Sequence, residues 1–141
     1  MASIEQTIAE IAGEFALLPD WEERISHVIE LGRDLAPLSA SEHNDATRVR
    51  GCASQVWLVS DTHANTPGRL HFRGDSDAHL VRGEIALLLR IFSDRTPAEI
   101  LSVEPRVVFE RLGLKEALTA QRSNGLFSMM SRIQQTARMA S

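Results

Sequence analysis

The chain has 141 residues, of which 43% are hydrophobic and 24% are charged, and its formal net charge is −4. This composition is typical of a globular protein with a hydrophobic core, and the acidic balance argues against a nucleic-acid-binding surface. No apolar run approaches the roughly 18 to 20 residues that span a bilayer, and the acidic, amphipathic start does not resemble a signal peptide. We therefore expect one domain over residues 1–141, without nucleic-acid or membrane partners.

Two amphipathic helices are predicted at the N-terminus. Ser3 and Gln6 have the spacing of a capping box, and Asp20 is placed to cap the second helix. Apolar residues recur at helical spacing after each cap: Ile4, Ile8, Ile11 and Phe15 in the first helix, and Trp21, Ile25, Val28, Ile29 and Leu35 in the second. Pro37 is expected to end the second helix. We interpret both apolar faces as parts of the core, and the polar residues 39–46 as a loop.

A small antiparallel sheet is predicted next. Residues 47–50 are interpreted as a short edge strand with Val49 facing inward. Residues 55–61 favour β-structure most strongly, and residues 69–73 alternate between apolar and polar side chains. Turn-forming residues occupy positions 63–68 between these two strands.

A central buried helix is predicted to follow the sheet. Gly74 is expected to end the last strand, and Ser76 or Asp77 to cap the helix. Its apolar residues cover a wide arc: Leu80, Val81, Ile85, Leu88, Ile91 and Phe92. Gly83 inside this helix costs about 1 kcal/mol relative to alanine, so we expect a compensating close approach of the helix backbone to the sheet.

Three further helices are predicted in the C-terminal part. Thr96 begins a short helix, Pro105 begins another, and Gly113 ends it. Ser123 or Asn124 is expected to cap the last helix, whose buried face contains Leu126, Met130, Ile133 and Ala137. The order of helices, a small antiparallel sheet and more helices predicts an α+β fold.

The candidate functional residue is Cys52, the single cysteine of the chain. It follows Gly51, which can make a sharp turn, and it precedes the strongest predicted strand. The thiolate of a cysteine is a strong nucleophile, although a free cysteine is also common as a small buried hydrophobe. A lone thiol cannot form an intramolecular disulfide, and it fits the reducing cytoplasm.

Three segments resemble the SufE family in order and in spacing: GCASQVW at 51–57, GDSDAHLVRG at 74–83 and RSNGL at 122–126. SufE proteins accept sulfur from a cysteine desulfurase during iron–sulfur cluster assembly. The resemblance implies a fold shared with IscU-type scaffold proteins, with the cysteine loop folded against the body until a partner binds. It also implies that Cys52 takes the sulfur as a persulfide. The protein is then expected to stimulate the desulfurase and to pass the sulfur on to a cluster scaffold.

The resemblance implies partners and a cofactor as well. The expected partner is a SufS-like or CsdA-like desulfurase, which carries pyridoxal phosphate, whereas this chain is expected to carry no cofactor of its own. Gly51 is a candidate hinge for the cysteine loop. Arg122 is placed by the family pattern to stabilise the thiolate or to pair with a carboxylate such as Asp75. Whether the chain forms a homodimer stays open.

Other interpretations remain at this point. Asp75 and Asp77 flank a serine, which fits either a cation site or a helix cap, and the cap is favoured because a calcium loop needs more ligands. No histidine pair has metal-motif spacing, so no metal is expected. Cys52 with a histidine, of which His43 is nearest in sequence, would make a cysteine-dependent hydrolase. A non-catalytic desulfurase-activating adaptor is a third option, and a cluster scaffold would need about three or four ligands.

Overall fold

The structure is a computed structural model that describes residues 2–62, 67–114 and 118–140. Its helices and strands follow in chain order: α1 Ile4–Ala16, α2 Trp21–Leu31, β1 Val56–Thr62, β2 Leu70–Ser76, α3 His79–Phe92, α4 Pro97–Leu101, α5 Pro105–Leu112 and α6 Ala120–Ala140. Two short 3₁₀ turns lie between α2 and β1, at Gly32–Asp34 and Ala40–Glu42. The predicted α+β class is confirmed. No helix in the described ranges is long and apolar enough to cross a bilayer.

The N-terminal helices are capped as the sequence predicts. The Ser3 hydroxyl accepts a hydrogen bond from the Gln6 amide, and the Gln6 side chain accepts one from the Ser3 amide. All four apolar residues predicted to face inward from α1 are buried. In α2 the prediction was partly wrong, because Trp21 is 57% exposed at the first helical position and only Val28 is fully buried. The α-helix also ends at Leu31, before Pro37.

The sheet consists of β1 and β2, which pair antiparallel with Val56 opposite Ser76. The predicted edge strand at residues 47–50 is only a bridge, in which the Val49 amide donates to the carbonyl oxygen of Val56 at 2.8 Å. Val49 is buried, as expected. Residues 63–66 of the predicted turn lie outside the described residues.

Strand β2 continues through Gly74, which was expected to end it. A Cβ atom on Gly74 would lie 2.7 Å from Leu58 Cδ2 and 2.8 Å from Ile85 Cγ2. Since real Cβ atoms do not approach so closely, α3 contacts the sheet tightly at this glycine. Because β2 extends to Ser76, this serine belongs to the strand and not to the cap of the helix.

Helix α3 is buried over most of its length and packs against both β2 and α2. The expected close approach at Gly83 exists, but it is made to α2 rather than to the sheet: a Cβ there would lie 1.9 Å from the carbonyl oxygen of Val28. The N-cap is Ala78, which makes no side-chain cap hydrogen bond, so the predicted caps were wrong. Ser76 and Asp77 instead bind the backbone of Gln55.

The three C-terminal helices pack against one another and against α1 and α3. The capping box at Thr96, the start at Pro105 and the end at Gly113 are confirmed. Helix α6 starts at Ala120, before the predicted caps, because the Thr119 hydroxyl accepts a hydrogen bond from a first-turn amide at 3.3 Å. Its predicted apolar face is buried as expected.

Candidate functional site at Cys52

Cys52 lies in the loop that enters β1, and its side chain is half-buried at the edge of the core. The thiol donates a long hydrogen bond to the carbonyl oxygen of Gly125 on α6, with 3.6 Å between sulfur and oxygen. Gly51 has a φ of +87°, a conformation that favours glycine. This glycine turns the chain so that the adjacent thiol faces α6.

One face of α6 holds the segment 46–54, which we call the cysteine loop. Four residues three or four positions apart contact it in antiparallel order: Arg122 at Ser54, Gly125 at Cys52, Ser128 at Gly51, and Arg132 at Arg48 and Ala46. Each hydrogen bond of this kind contributes about 1 kcal/mol net. Val49 anchors the start of the loop in the core, and the part that follows it is held by several weak bonds that a binding partner can replace.

The restraint of the cysteine loop by α6 can be tested at Gly51, by comparison with a second glycine of the same backbone conformation. A Cβ on Gly51 would lie 2.6 Å from Ser128 Oγ, whereas no described atom lies within 4 Å of a Cβ on Gly68, which has a φ of +82°. In Gly51→Ala the Ser128 hydroxyl must turn away and lose its hydrogen bond to the Gly51 carbonyl oxygen. This change should loosen the loop and raise the rate of Cys52 alkylation by about fivefold, and Gly68→Ala should not. The measurement is iodoacetamide labelling followed by intact mass. Equal rates in both variants would show that α6 does not restrain the loop.

A small cavity of ≈ 10 Å³ lies beside Cys52, and Glu84 and Arg122 are among its lining residues. This volume is about that of one water-sized atom. Glu84 comes from α3 and is 1% exposed, and its Oε1 atom has no hydrogen-bond partner within the described part of the chain. Burial raises the pKa of Glu84 to about 7, although the positive charge of Arg122 opposes this shift. A buried, titratable carboxyl thus lines the same cavity as the thiol.

The electrostatics of the closed loop keep Cys52 protonated. Burial raises the pKa of the Cys52 thiol, and the negative charge of Glu84 raises it further. Because the thiolate is the reactive form, the closed loop holds the sulfur in an unreactive state. Exposure of the loop would remove the cost of burying the charge and so favour the thiolate.

Asp75 lies in β2 and holds two other elements. Its carboxylate pairs with Arg82 of α3 at 3.1 Å and with His43 at 3.0 Å. The proposed pair of Asp75 with Arg122 is therefore not formed, since Arg122 instead donates to Ser54. The pKa of His43 is raised, first by its hydrogen bond to Asp75. Asp75 thus supports the polar segment before the cysteine loop.

The structure bears on the hydrolase and metal interpretations. His43, the histidine nearest Cys52 in sequence, directs its two ring nitrogens to the Ser39 carbonyl oxygen and to Asp75, and its ring packs edge-on against Trp57. It therefore does not form a nucleophile–base pair with the thiol. Among the described residues, no cluster of three His, Cys, Asp or Glu side chains is placed to hold a metal ion.

Sequence reasoning missed Glu84. Its signal was an acidic residue three positions after Val81 and four before Leu88, on the apolar face of α3. A charged residue at such a position is unusual unless it is paired or functional. Cys52, Gly51 and Arg122 meet at one site, whereas Asp75 acts through its pairs with His43 and Arg82.

Comparisons with known proteins agree on the family. The SufE family model, described as an Fe-S metabolism associated domain, matches residues 9–137. An uncharacterized SufE-like protein of Rhizobium etli is 43% identical over 140 residues, covering 99% of this chain and 92% of that protein. A second one, of Rhizobium meliloti, is 44% identical over 140 residues, covering 97% and 96%. The solution structure of a hypothetical protein from Thermus thermophilus has a similar fold, with a TM-score of 0.77 at 23% identity over 95% of each chain.

The fold and the site together define a small α+β protein with one half-buried thiol on a loop held against a helix. The family model covers nearly the whole chain, and the two relatives match 99% and 97% of it. The chain belongs to the SufE family. Its role therefore lies in iron–sulfur metabolism.

Proposed function

We propose that this protein accepts a sulfane sulfur from a cysteine desulfurase on Cys52 and passes it on for iron–sulfur cluster assembly. The observation that carries the proposal is the placement of the single cysteine, half-buried at a loop that α6 holds through separate weak contacts. Such a loop protects a reactive sulfur at rest and presents it when a partner replaces those contacts. The family match supports the same role.

The transfer step is a thiol–disulfide type exchange. The Cys52 thiolate attacks the outer sulfur of a persulfide on the desulfurase, and a new bond forms between that sulfur and Cys52 Sγ. The sulfur–sulfur bond on the desulfurase breaks, and its cysteine leaves as a thiolate with the bonding electron pair. The transferred sulfur keeps its proton, so atoms, charge and electrons balance without an added oxidant or reductant.

The closed loop fits a protein that carries a protected sulfur better than one whose thiol is always reactive. Burial and the Glu84 charge both raise the pKa of the Cys52 thiol, which lowers the thiolate fraction at rest. The chain has no second cysteine that would displace the carried sulfur by forming a disulfide. Pyridoxal phosphate, which generates the persulfide, would belong to the desulfurase.

The decisive variant is Cys52→Ser. We expect wild-type protein, incubated with desulfurase and cysteine carrying radiolabelled sulfur, to gain one sulfur atom on Cys52 and to raise desulfurase turnover. The Cys52→Ser variant should gain no label, and turnover should fall to the basal rate of the desulfurase, because no acceptor thiolate remains. Intact mass and sulfide release measure the two effects, and thermal unfolding verifies that the variant folds.

The adaptor interpretation gives a different result in the same experiment. If the protein only activates the desulfurase by binding, Cys52→Ser will stimulate turnover as well as wild type does and neither protein will carry label. That pair of results would falsify the carrier function. Label on wild type together with unchanged stimulation by the variant would separate the two activities and limit Cys52 to sulfur carriage.

A further inference from the structure

Glu84 is a buried group that the transfer step above does not use. It is 1% exposed, it lines the ≈ 10 Å³ cavity beside Cys52, and its Oε1 atom has no partner in the described ranges. Buried polar atoms without a partner are rare, because each loses its hydrogen bonds to water. The carboxyl is therefore placed to receive or donate a hydrogen bond when something else occupies the cavity.

The cavity matches the one atom that a persulfide adds to Cys52. A sulfur–sulfur bond places the terminal sulfur about 2 Å beyond Sγ. Cys52 lines the cavity, which has room for about one water-sized atom. A sulfur atom is somewhat larger, so the lining must shift slightly to admit it. The lining side chains of Val81 and Met129 cannot bind a polar sulfur strongly, and the Ser54 hydroxyl already accepts a hydrogen bond from Arg122. Gln121 and the Arg122 guanidinium also line the cavity, and a protonated carboxyl of Glu84 adds a neutral, fully buried hydrogen-bond donor beside them.

We propose that this cavity holds the terminal sulfur of the Cys52 persulfide and that the protonated carboxyl of Glu84 donates a hydrogen bond to it. The proposal rests on the proposed function, because it names the site where the carried sulfur is kept. The terminal S–H of a persulfide is more acidic than a thiol, since the neighbouring sulfur spreads the negative charge. The bound sulfur is therefore best stabilised by a neutral donor, together with a nearby positive charge.

The charged groups around the cavity make this stabilisation depend on pH. Among the lining residues, Cys52 of the loop, Glu84 of α3 and Arg122 of α6 are the titratable or charged ones. Arg122 is positive throughout and favours a negative sulfur. Glu84 has a pKa raised to about 7, so it is a neutral donor below that pH and a repelling carboxylate above it. Protection of the sulfur should fall as pH rises through about 7.

The test uses a persulfide made chemically, without a desulfurase. Cys52 is first converted to a mixed disulfide with an aromatic thiol, and hydrosulfide then attacks Cys52 Sγ. A new sulfur–sulfur bond forms, and the aromatic thiolate leaves with the electron pair of the bond that breaks. Intact mass verifies the gain of one sulfur atom, and the rate of persulfide alkylation by iodoacetamide then measures its exposure.

Two variants of Glu84 separate hydrogen bonding from packing. Glu84→Gln keeps a donor but cannot ionise, so its persulfide should stay slow to react on both sides of neutral pH. Glu84→Leu fills the space without a donor. At about one pH unit below the pKa of Glu84, its persulfide should therefore react about tenfold faster than the wild-type persulfide. Wild type should resemble the Gln variant at this pH, and about one unit above the pKa it should react at least as fast as the Leu variant, because the carboxylate then repels the sulfur.

The unmodified thiol of each variant is the control. Below the pKa of Glu84 all three thiols should react equally, because Glu84 is then neutral and the loop is unchanged. If the Leu variant accelerates thiol and persulfide by the same factor, the loop has merely loosened and the proposal is wrong. Equal persulfide rates in wild type and the Leu variant about one unit below the pKa of Glu84, as expected for an ordinary water-filled cavity, overturn it too. Failure of transfer from a desulfurase leaves this result unaffected.

Discussion

Gly83→Ala is expected to lower the free energy of unfolding by about 3–5 kcal/mol, the largest loss expected from an added methyl group at any glycine of this chain. A Cβ at this position would lie 1.9 Å from the carbonyl oxygen and 2.5 Å from the carbonyl carbon of Val28. Both atoms belong to the backbone of α2, so no rotamer change relieves the contact. The two helices must separate, and the packing of both faces is lost.

The matched control is Gly13→Ala in α1. Gly13 is also inside a helix, but no described atom lies within 4 Å of a Cβ there. This substitution should stabilise the protein by about 0.5–1 kcal/mol through helix propensity alone. Urea denaturation with an unchanged m-value measures both changes. A loss below about 1 kcal/mol for Gly83→Ala would show that α2 and α3 do not pack at backbone contact.

These two glycines show which parts of the fold the sequence could predict. Caps and periodicity are local. They located α1 and α4, whose N-terminal residues form capping boxes, and α5, whose start is marked by a proline at its first turn. Gly13 and Gly83 both look like unfavourable helix residues in the sequence. Only the three-dimensional packing shows that a side chain is tolerated at one and excluded at the other.

The errors in the fold have the same origin. Trp21 has the spacing of a core residue but stands at the first position of α2, where the neighbouring helix α3 does not cover it. Gly74 looks like a strand terminator, yet it is the point at which α3 meets the sheet. Ser76 is a residue type that often caps helices, yet it lies in β2 and its hydroxyl donates a hydrogen bond to the carbonyl oxygen of Gln55. Tertiary contacts override local preference in each case.

The site was predictable in its nucleophile and not in its surroundings. Cys52 stands out because it is the single cysteine and lies in a motif that resembles the SufE family. Arg122 was expected to stabilise the thiolate or to pair with a carboxylate such as Asp75, and the carboxyl whose ionised form its positive charge favours is Glu84. No local rule relates position 84 to position 52, since α3 and the cysteine loop are brought together only by tertiary packing.

Glu84→Leu is expected to remove a pH dependence of stability that the wild type carries. The pKa of Glu84 is raised from 4.5 to about 7 in the folded chain. Between these two pH values the unfolded chain has released the proton and the native chain still holds it, so the free energy of unfolding falls as pH rises. The total fall is about 3 kcal/mol, and it is complete above about pH 7.

The leucine variant lacks this ionisation, so its stability relative to wild type should increase by about 3 kcal/mol between about pH 4.5 and 7 and then stay constant. Urea denaturation across this pH range measures the difference in the free energy of unfolding between variant and wild type. For Glu84→Gln this difference should change with pH in the same way, because glutamine cannot ionise either. Parallel pH profiles for all three proteins would mean that Glu84 is solvated in the folded state. A stability difference that increases with pH would mean that wild type keeps a destabilising carboxyl in its core. Such a carboxyl is expected where it has a function, and Cys52 lines the same cavity as Glu84.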